Sequence, residues 1–202
     1  MKRFYLIMVG VMVLCVATGT VAYMKLGQSE TEETVSMMDS DMDYGMMNDG
    51  AEVDTTNVTT ATKDQLLYLI EEEKLAHDVY TKMYELYGER VFGNILKSES
   101  THQSRVKTLL DARNIADPRS SQIGVFTNTE LQNLYNELIA KGSQSEKDAY
   151  EVGVAIEEKD IKDISDMLAK TFDTDIVSAL ESLRSGSENH LRAFNRQLDR
   201  IN

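Results

Sequence analysis

The chain has 202 residues, enough for one domain of ordinary size with additional segments. Its 34 acidic and 21 basic side chains give a formal net charge of −13, which repels phosphate backbones and argues against nucleic acid as a partner. The one cysteine, Cys15, leaves everything after it without a thiol for a disulfide, a zinc site, a nucleophile or an iron–sulfur cluster. A metal site beyond residue 15 must therefore use carboxylates and the three histidines, His77, His102 and His190.

The first predicted element is an apolar segment. Lys2 and Arg3 precede residues 4–24, an uncharged run close to the roughly 20 residues that span a bilayer as a helix. We predict a membrane anchor or a signal segment over residues 1–26. An uncleaved anchor is favoured over a cleaved signal peptide because the small-x-small cleavage pattern is poor. Basic residues before the run and acidic residues after it place the rest outside the cytoplasm, either membrane-anchored or secreted.

Residues 27–61 are acidic and rich in Thr, Ser and Met, without any periodic apolar pattern. This composition is typical of a disordered linker. Methionines between residues 37 and 47 offer thioethers to a soft ion such as Cu(I). A flexible linker that happens to contain methionine is the favoured interpretation.

From residue 62 the apolar pattern becomes helical. "TKDQ" at residues 62–65 resembles a capping box and opens a helix that ends near Gly88. Further helices are predicted over about 91–113, a short one over 129–141, one opened by "SQSE" at 143–146 and running to about 170, and one over about 174–200. No strand and no glycine-rich phosphate loop is predicted. The fold class is all-α.

The connections between these helices predict how they are arranged. Short turns join the first two long helices and the last two, so each pair should be antiparallel. Between the pairs lie about 30 residues with their own small helix, long enough to cross the length of a bundle. We therefore predict a four-helix bundle with one long crossover over residues 62–202.

Each apolar stripe is interrupted near its middle by side chains that can bind metal. Residues three or four apart share one face of a helix, so each pair can point together into the bundle. The four groups, in chain order, are Glu73 with His77 one turn on, Glu99 with His102, Glu157 with Asp160, and His190 with Ser187 one turn before it.

Several carboxylates buried close together cannot all stay ionised unless a cation lies among them. Oxygen and imidazole ligands without thiolate suit Fe, Mn or Zn. Taken singly, each pair is more often found on a solvated surface or in an ion pair. "EEEK" (71–74) is usually a charged helix start, and "EEKD" (157–160) a solvated face. The strongest alternative to a metal is a buried ion-pair network that uses Arg105, Lys74 or Lys159.

These motifs resemble the ferritin-like superfamily of the rubrerythrin or di-iron carboxylate type, in a branch described as a domain of unknown function. The resemblance covers residues 62–200 and rests on "EKLAHDVY" (73–80), "ESTH" (99–102), "EEKD" (157–160) and "SENH" (187–190). In that superfamily two helices each give a Glu and two each give a Glu-x-x-His motif to a two-metal centre. The ligands that the resemblance implies are Glu73, Glu99, His102, Glu157 and His190.

One position departs from the superfamily pattern. The last motif should read Glu-x-x-His, yet residue 187 is Ser, and the adjacent Glu188 is turned about 100° away from the core. Asp160 could replace the missing carboxylate, since it faces inward one turn after Glu157, and His77 could add a further nitrogen ligand. Without such a substitute, the second metal position would bind weakly or stay empty. Tyr80 lies near the site or serves packing alone.

The resemblance implies two iron ions per chain, with manganese or zinc as possible substitutes, and an oxidoreductase that acts on peroxide, O₂ or Fe(II). Such an enzyme would need an external electron donor, because the bundle lacks a cysteine-ligated centre. A membrane tether fits poorly with a closed storage cage, whereas a homodimer is possible. The alternative is a non-catalytic metal-binding or partner-binding module with a degenerate site. A copper-binding role of the Met-rich linker is a third hypothesis.

Overall fold

A computed structural model describes residues 58–201 of the chain. Within this range the structure is entirely helical, without a strand: α1 is Thr60–Tyr87, α2 Arg90–Ala112, α3 Thr129–Gly142, α4 Glu146–Leu168 and α5 Thr174–Ile201. None of these five helices is long and apolar enough to cross a bilayer. The predicted anchor over 1–26 and nearly all of the predicted linker over 27–61 lie outside the described residues.

The helix boundaries follow local capping chemistry. The expected capping box at Thr62 is wrong: the helix begins earlier, and the hydroxyl of Thr59 accepts a hydrogen bond from the Thr62 backbone N–H at 3.1 Å. α4 is capped by Ser145, whose hydroxyl accepts from the Asp148 N–H at 3.1 Å. α1 ends at Gly88, which adopts the left-handed conformation (φ 69°) that glycine tolerates best.

Two apolar clusters divide the interior along its length. The aromatic core contains Tyr80, Phe92, Tyr150 and Phe194, together with aliphatic residues of α1 to α4. The aliphatic core contains residues from α1 (66–70), α2 (106–110), α4 (164–167) and α5 (176–183), together with Ile115. Along the chain, α1 and α5 therefore run from the aliphatic core to the aromatic core, whereas α2 and α4 run the opposite way.

These directions establish the path of the long connection. α2 ends beside the aliphatic core and α4 begins beside the aromatic core, so residues 113–145 must travel the length of the helical bundle. α1 packs on α2 and α4 packs on α5, while α1 also contacts α4 and α2 contacts α5. Four long helices thus surround one interior, as predicted, and α3 lies within the crossover against α1 and α4.

Charged side chains of α1 hold the crossover in place. The carboxylate of Glu71 accepts hydrogen bonds from the backbone N–H groups of Thr127 (2.6 Å) and Asn128 (2.8 Å). Asp78 accepts from the N–H of Gly124 at 2.8 Å and pairs with Lys74. The charged helix start considered for "EEEK" is therefore wrong, because residues 71–74 lie in the middle of α1 and all four are buried.

Candidate metal centre

A layer of polar side chains separates the two apolar cores. We call it the polar layer; its members are Glu73, Glu99, His102, Glu157, Asp160, Ser187 and His190. All seven side chains are buried, with exposed fractions between 1% and 7%. Each of the four long helices contributes at the level where its apolar stripe is interrupted. The structure thus brings the six predicted metal ligands and Ser187 to one depth of the bundle.

The first group of this layer is Glu73, Glu99 and His102. His102 Nδ1 lies 3.2 Å from Glu73 Oε2, within hydrogen-bonding geometry, and 3.4 Å from Glu99 Oε2. The carboxylates come from α1 and α2, and the imidazole follows Glu99 by one turn. One ligand atom from each of the three residues lies within 4.8 Å of the others, so the group could hold a metal ion.

The second group is Glu99, Glu157 and His190, and it satisfies the same 4.8 Å criterion. His190 Nδ1 lies 2.9 Å from Glu99 Oε1 and 3.5 Å from Glu157 Oε1. Glu99 is therefore common to both groups, with one oxygen toward each imidazole. The His102 and His190 rings lie 5.4 Å apart between centroids. The two groups form one connected site rather than two separate ones.

Several polar atoms of the layer lack a hydrogen-bond partner among the described residues, although they are fully buried. They are Glu73 Oε1, Glu99 Oε1, Asp160 Oδ1 and His190 Nδ1. Glu99 Oε1 and His190 Nδ1 approach to 2.9 Å without the alignment that a hydrogen bond requires. Since an unpaired buried polar atom is costly, these atoms need a further partner, and a cation satisfies this requirement.

Asp160 lies in the layer but outside the two groups. The Ser187 hydroxyl donates a hydrogen bond to Asp160 Oδ2, while Asp160 Oδ1 stays without a partner. The serine that departs from the superfamily pattern therefore contacts the carboxylate that we predicted as its substitute. One oxygen of Asp160 is held by α5 and the other is free to bind.

Tyr80 is fully buried and donates a hydrogen bond from its hydroxyl to Glu157 Oε1 at 2.6 Å. Its ring packs on Phe92 and Phe194 in the aromatic core. Tyr80 therefore lies at the site and does not serve packing alone, since its ring packs while its hydroxyl orients a predicted ligand. Burial, followed by the nearby Glu157 charge, raises the pKa of Tyr80 well above its usual value, so the hydroxyl keeps its proton.

The protonation of the carboxyl groups follows from burial. Desolvation raises the pKa of Glu73 to about 8 and that of Glu157 to about 7, and it raises the pKa of Asp160 well above its usual value. Burial also acts on Glu99, but the adjacent imidazoles of His102 and His190 outweigh it and lower the pKa of Glu99 to about 2. Without a metal, the layer therefore holds one firmly ionised carboxylate between two imidazoles.

Burial lowers the pKa of both imidazoles, but the neighbouring glutamates outweigh it. The net effect raises the pKa of His102 to about 11 and that of His190 to about 9. Even with both rings charged, four carboxylates against two imidazolium groups would leave two negative charges, so carboxyl protons or metal ions must supply the balance.

The lysine and arginine side chains considered for a buried ion-pair network lie elsewhere. Lys74 pairs with Asp78, and Lys159 pairs with Glu72 (2.6 Å) and Asp163 (2.5 Å). Arg105 is exposed. Among the residues that the structure describes, neither lysine forms an ion pair with a predicted metal ligand. The ion-pair alternative is therefore wrong for the polar layer, although it describes Glu72 and Lys159 well.

His77 does not join either group. Its side chain is 31% exposed, and its Nδ1 lies 3.5 Å from Asp78 Oδ1. It faces the crossover rather than the interior. The polar layer therefore takes its imidazoles from α2 and α5.

The sequence comparison identifies the family of this bundle. The family DUF2202, described as an uncharacterized protein domain, matches residues 62–201. The chain belongs to the DUF2202 family. It is 44% identical over 143 residues to the uncharacterized protein MJ0754 of Methanocaldococcus jannaschii, covering 70% of this chain and 77% of that protein.

The same archaeal protein provides a structural comparison. The crystal structure titled hypothetical protein MJ0754 from Methanococcus jannaschii DSM 2661 superposes with a TM-score of 0.70 at 43% sequence identity. The match covers 71% of this chain and 83% of the archaeal chain. The DUF2202 helical fold is thus shared with a solved structure, while neither description names a metal or an activity.

One residue of this DUF2202 domain that sequence analysis missed is Gly186. A Cβ at this position would lie 2.4 Å from His102 Nε2, closer than real contacts allow. The glycine lets the His102 ring pack directly against α5. A glycine inside an amphipathic helix, one residue before an interruption of the apolar stripe, is the signal that could have revealed this close approach.

Replacing this glycine should disturb the first group selectively. We expect Gly186→Ala to push the His102 ring away from Glu73 and to weaken metal binding about tenfold or more. Overpacking should also lower the free energy of unfolding by about 1–3 kcal/mol. Metal titration followed by calorimetry, with denaturant unfolding beside it, measures both effects.

Gly153→Ala is the matched control, because its Cβ would lie 2.7 Å from Phe194 ring atoms and not near a predicted ligand. It should lose similar stability and keep metal affinity. Equal losses of affinity in the two variants would contradict a specific role for Gly186.

Proposed function

We propose that this protein binds two metal ions in the polar layer and is a ferritin-like oxidoreductase that acts on peroxide, O₂ or Fe(II). One observation carries the proposal: Glu99 directs one oxygen toward each imidazole, and the two groups it joins contain three buried polar atoms without a hydrogen-bond partner among the described residues. A centre with a shared carboxylate and two imidazoles is the ligand set that the ferritin-like resemblance implies.

The donor set fits iron, with manganese or zinc as substitutes, since it offers carboxylate oxygen and imidazole nitrogen without sulfur. Glu73, Glu99 and His102 would hold one ion. Glu99, Glu157 and His190 would hold the other. When bound, a pair of redox-active ions supplies electrons to peroxide or O₂, or accepts them from Fe(II).

Residues of the chain prepare the site for this chemistry. The two apolar cores exclude bulk water on both sides of the polar layer. Tyr80 holds a proton at its hydroxyl and orients Glu157 through a 2.6 Å hydrogen bond. Because the part of the chain after residue 15 lacks a cysteine for an iron–sulfur centre, a peroxide-reducing activity requires an external electron donor.

Asp160 completes the second position in place of residue 187. We expect Asp160→Asn to weaken binding of one of the two ions by about 10–100-fold, because the amide cannot offer a charged oxygen. Ser187→Ala should cause a smaller loss, since it removes only the hydrogen bond that holds Asp160 Oδ2. Stepwise metal titration measures the two affinities. If Asp160→Asn binds both ions as tightly as the wild type, Asp160 is not a ligand.

We further propose that the bundle acts outside the cytoplasm, either tethered through residues 1–26 or secreted, because of the charge asymmetry around the apolar segment. A homodimer is compatible with this placement. Protease protection in intact cells, with the full chain expressed, would test it.

Turnover by the metal-loaded full chain tests the proposed activity. The loaded protein should consume hydrogen peroxide with a chemical reductant present, or oxidise added Fe(II) in air. A Glu99→Ala, His102→Ala variant should lose this activity, since it removes ligands of both groups. Wild-type activity in that variant would overturn the proposal, and metal binding without turnover would favour the non-catalytic alternative.

A further inference from the structure

A second site lies between the start of α2 and the end of α5. A cavity of about 400 Å³ is lined there by three arginines, Arg90, Arg196 and Arg200, above an apolar floor of Ile95 and Ala193. We call it the arginine cavity. All three arginines are exposed to solvent, and together they make this end of the bundle basic although the whole chain carries a net charge of −13.

Two of these arginines have no partner within the described chain. The side chains of Arg90 and Arg196 make neither a hydrogen bond nor an ion pair with any residue in the range 58–201. Arg200 donates to Gln197 Oε1 at 3.2 Å. Elsewhere in the bundle the arrangement is different, because Arg113 pairs with Asp175 at 2.8 Å and Arg119 pairs with Asp117 at 2.6 Å.

The position of Arg90 adds to the positive potential of the cavity. It is the first residue of α2, whose first turn carries no acidic side chain. A helix N-terminus already bears a partial positive charge, so a cation there is repelled. Glu89 is the one carboxylate that lines the cavity, which leaves three positive charges against one negative, or a net charge of +2.

The arginine cavity lies close to the polar layer. Its floor residue Ile95 precedes Glu99 by four positions on α2, and Ala193 follows His190 by three positions on α5. Because one helical turn rises about 5.4 Å, the floor lies about one turn from a predicted ligand on each helix. An anion bound there would lie at the edge of the candidate metal centre.

We propose that the arginine cavity binds the phosphate group of a small soluble anion. Guanidinium groups match the paired oxygens of phosphate and form charge-assisted hydrogen bonds with them. A cavity of about 400 Å³ accommodates more than an inorganic ion, so a phosphorylated small molecule fits. This site does not depend on the proposed metal centre, because it uses none of its ligands.

The test uses the purified full chain without metal and inorganic phosphate as the probe. Titration calorimetry at constant ionic strength should show saturable binding. Arg90→Gln, Arg196→Gln removes both unpartnered guanidinium groups and should weaken phosphate binding about tenfold or more. Metal binding by this variant, measured separately, should match the wild type.

The matched control is Arg105→Gln, Arg192→Gln, which makes the same change of charge on the same two helices, at positions that are likewise exposed but lie outside the cavity. It should weaken phosphate binding less than about threefold. Equal weakening of phosphate binding in the two double variants would show that the effect comes from net charge alone, and this would overturn the proposal. Absence of phosphate binding by the wild type would also overturn it.

A phospholipid headgroup carries the same chemistry as a soluble phosphate. Vesicles that contain an anionic phospholipid distinguish the two sources. Binding to vesicles through Arg90 and Arg196, without binding of free phosphate, would overturn the proposal of a soluble ligand. Saturable binding of free phosphate that the variant loses supports it.

Discussion

Glu99→Gln should weaken the binding of both metal ions together, by at least on the order of 100-fold. Its two oxygens lie 3.4 Å from His102 Nδ1 and 2.9 Å from His190 Nδ1, so each faces a different group. Glutamine keeps the shape but removes the negative charge and one of the two acceptor oxygens. Metal titration of the full chain, with each ion resolved, measures the effect.

Glu72→Gln is the matched control, because Glu72 is also a buried glutamate near the layer but pairs with Lys159. This variant should lose stability, since it leaves the lysine without a buried partner, and should still bind two ions. If Glu99→Gln lost one ion and kept the other at wild-type affinity, Glu99 would not be shared.

Bound metal should reverse the direction in which the unfolding free energy changes with pH. In the metal-free chain the pKa of Glu73 is raised to about 8 and that of Glu157 to about 7, from an unfolded value of 4.5. The folded state therefore binds more protons than the unfolded chain between about pH 4.5 and 8. A raised carboxyl pKa contributes stability that is fully present below the unfolded pKa and is lost as the pH rises through the folded pKa.

The histidines act in the same direction in the metal-free chain. Their raised pKa values, about 9 for His190 and about 11 for His102, stabilise the fold below pH 6.5 and lose this effect at higher pH. The lowered pKa of Glu99 acts oppositely, but its contribution disappears only as the pH falls from about 4.5 to about 2. Unfolding free energy of the metal-free chain should therefore fall from pH 5 to pH 8.

The unfolding free energy of the metal-loaded chain should instead rise from pH 5 to pH 8, because protons compete with metal for the same carboxylates and imidazoles. Denaturant unfolding at pH 5, 6, 7 and 8, with and without metal, tests the reversal. Glu73→Gln provides the control, since removal of this titrating group should flatten the slope of the metal-free chain. Parallel slopes with and without metal would contradict binding at the polar layer.

The helices and the depth of the site were predictable because the apolar stripes are regular. Phe92, Ile95, Val106 and Leu109 flank Glu99 and His102 at helical spacing, and all six are buried in the structure. A polar residue inside such a stripe must face the interior with its neighbours. The chain order of long and short connections similarly indicated the crossover, which the two cores confirm.

Contacts between distant segments were not predictable from the pattern. "EEEK" resembles a charged helix start because four charged residues follow one another. In the structure Glu71 accepts hydrogen bonds from backbone N–H groups 56 and 57 residues later, and Glu72 accepts one from Lys159, 87 residues later. Tyr80 reaches Glu157 across 77 residues. Local periodicity carries no information about these partners, which depend on how the crossover and the helices pack.

The first residue of α1 was also not predictable from the sequence. Thr59, Thr60 and Thr62 all offer hydroxyl groups for capping, so the sequence permits several helix starts. The structure selects Thr59 because its extended backbone and its hydroxyl satisfy the Thr62 N–H. Helix ends with several equivalent caps are uncertain by a few residues for this physical reason.

Metal content tests the central claim most directly. The full chain would be stripped of metal, reconstituted with Fe(II) under anaerobic conditions, freed of excess iron and examined by elemental analysis. We expect two iron ions per chain in the wild type and none in a Glu99→Ala, His102→Ala, His190→Ala variant. A wild-type chain that retains no metal, or a variant that retains as much as the wild type, would contradict a metal centre in the polar layer.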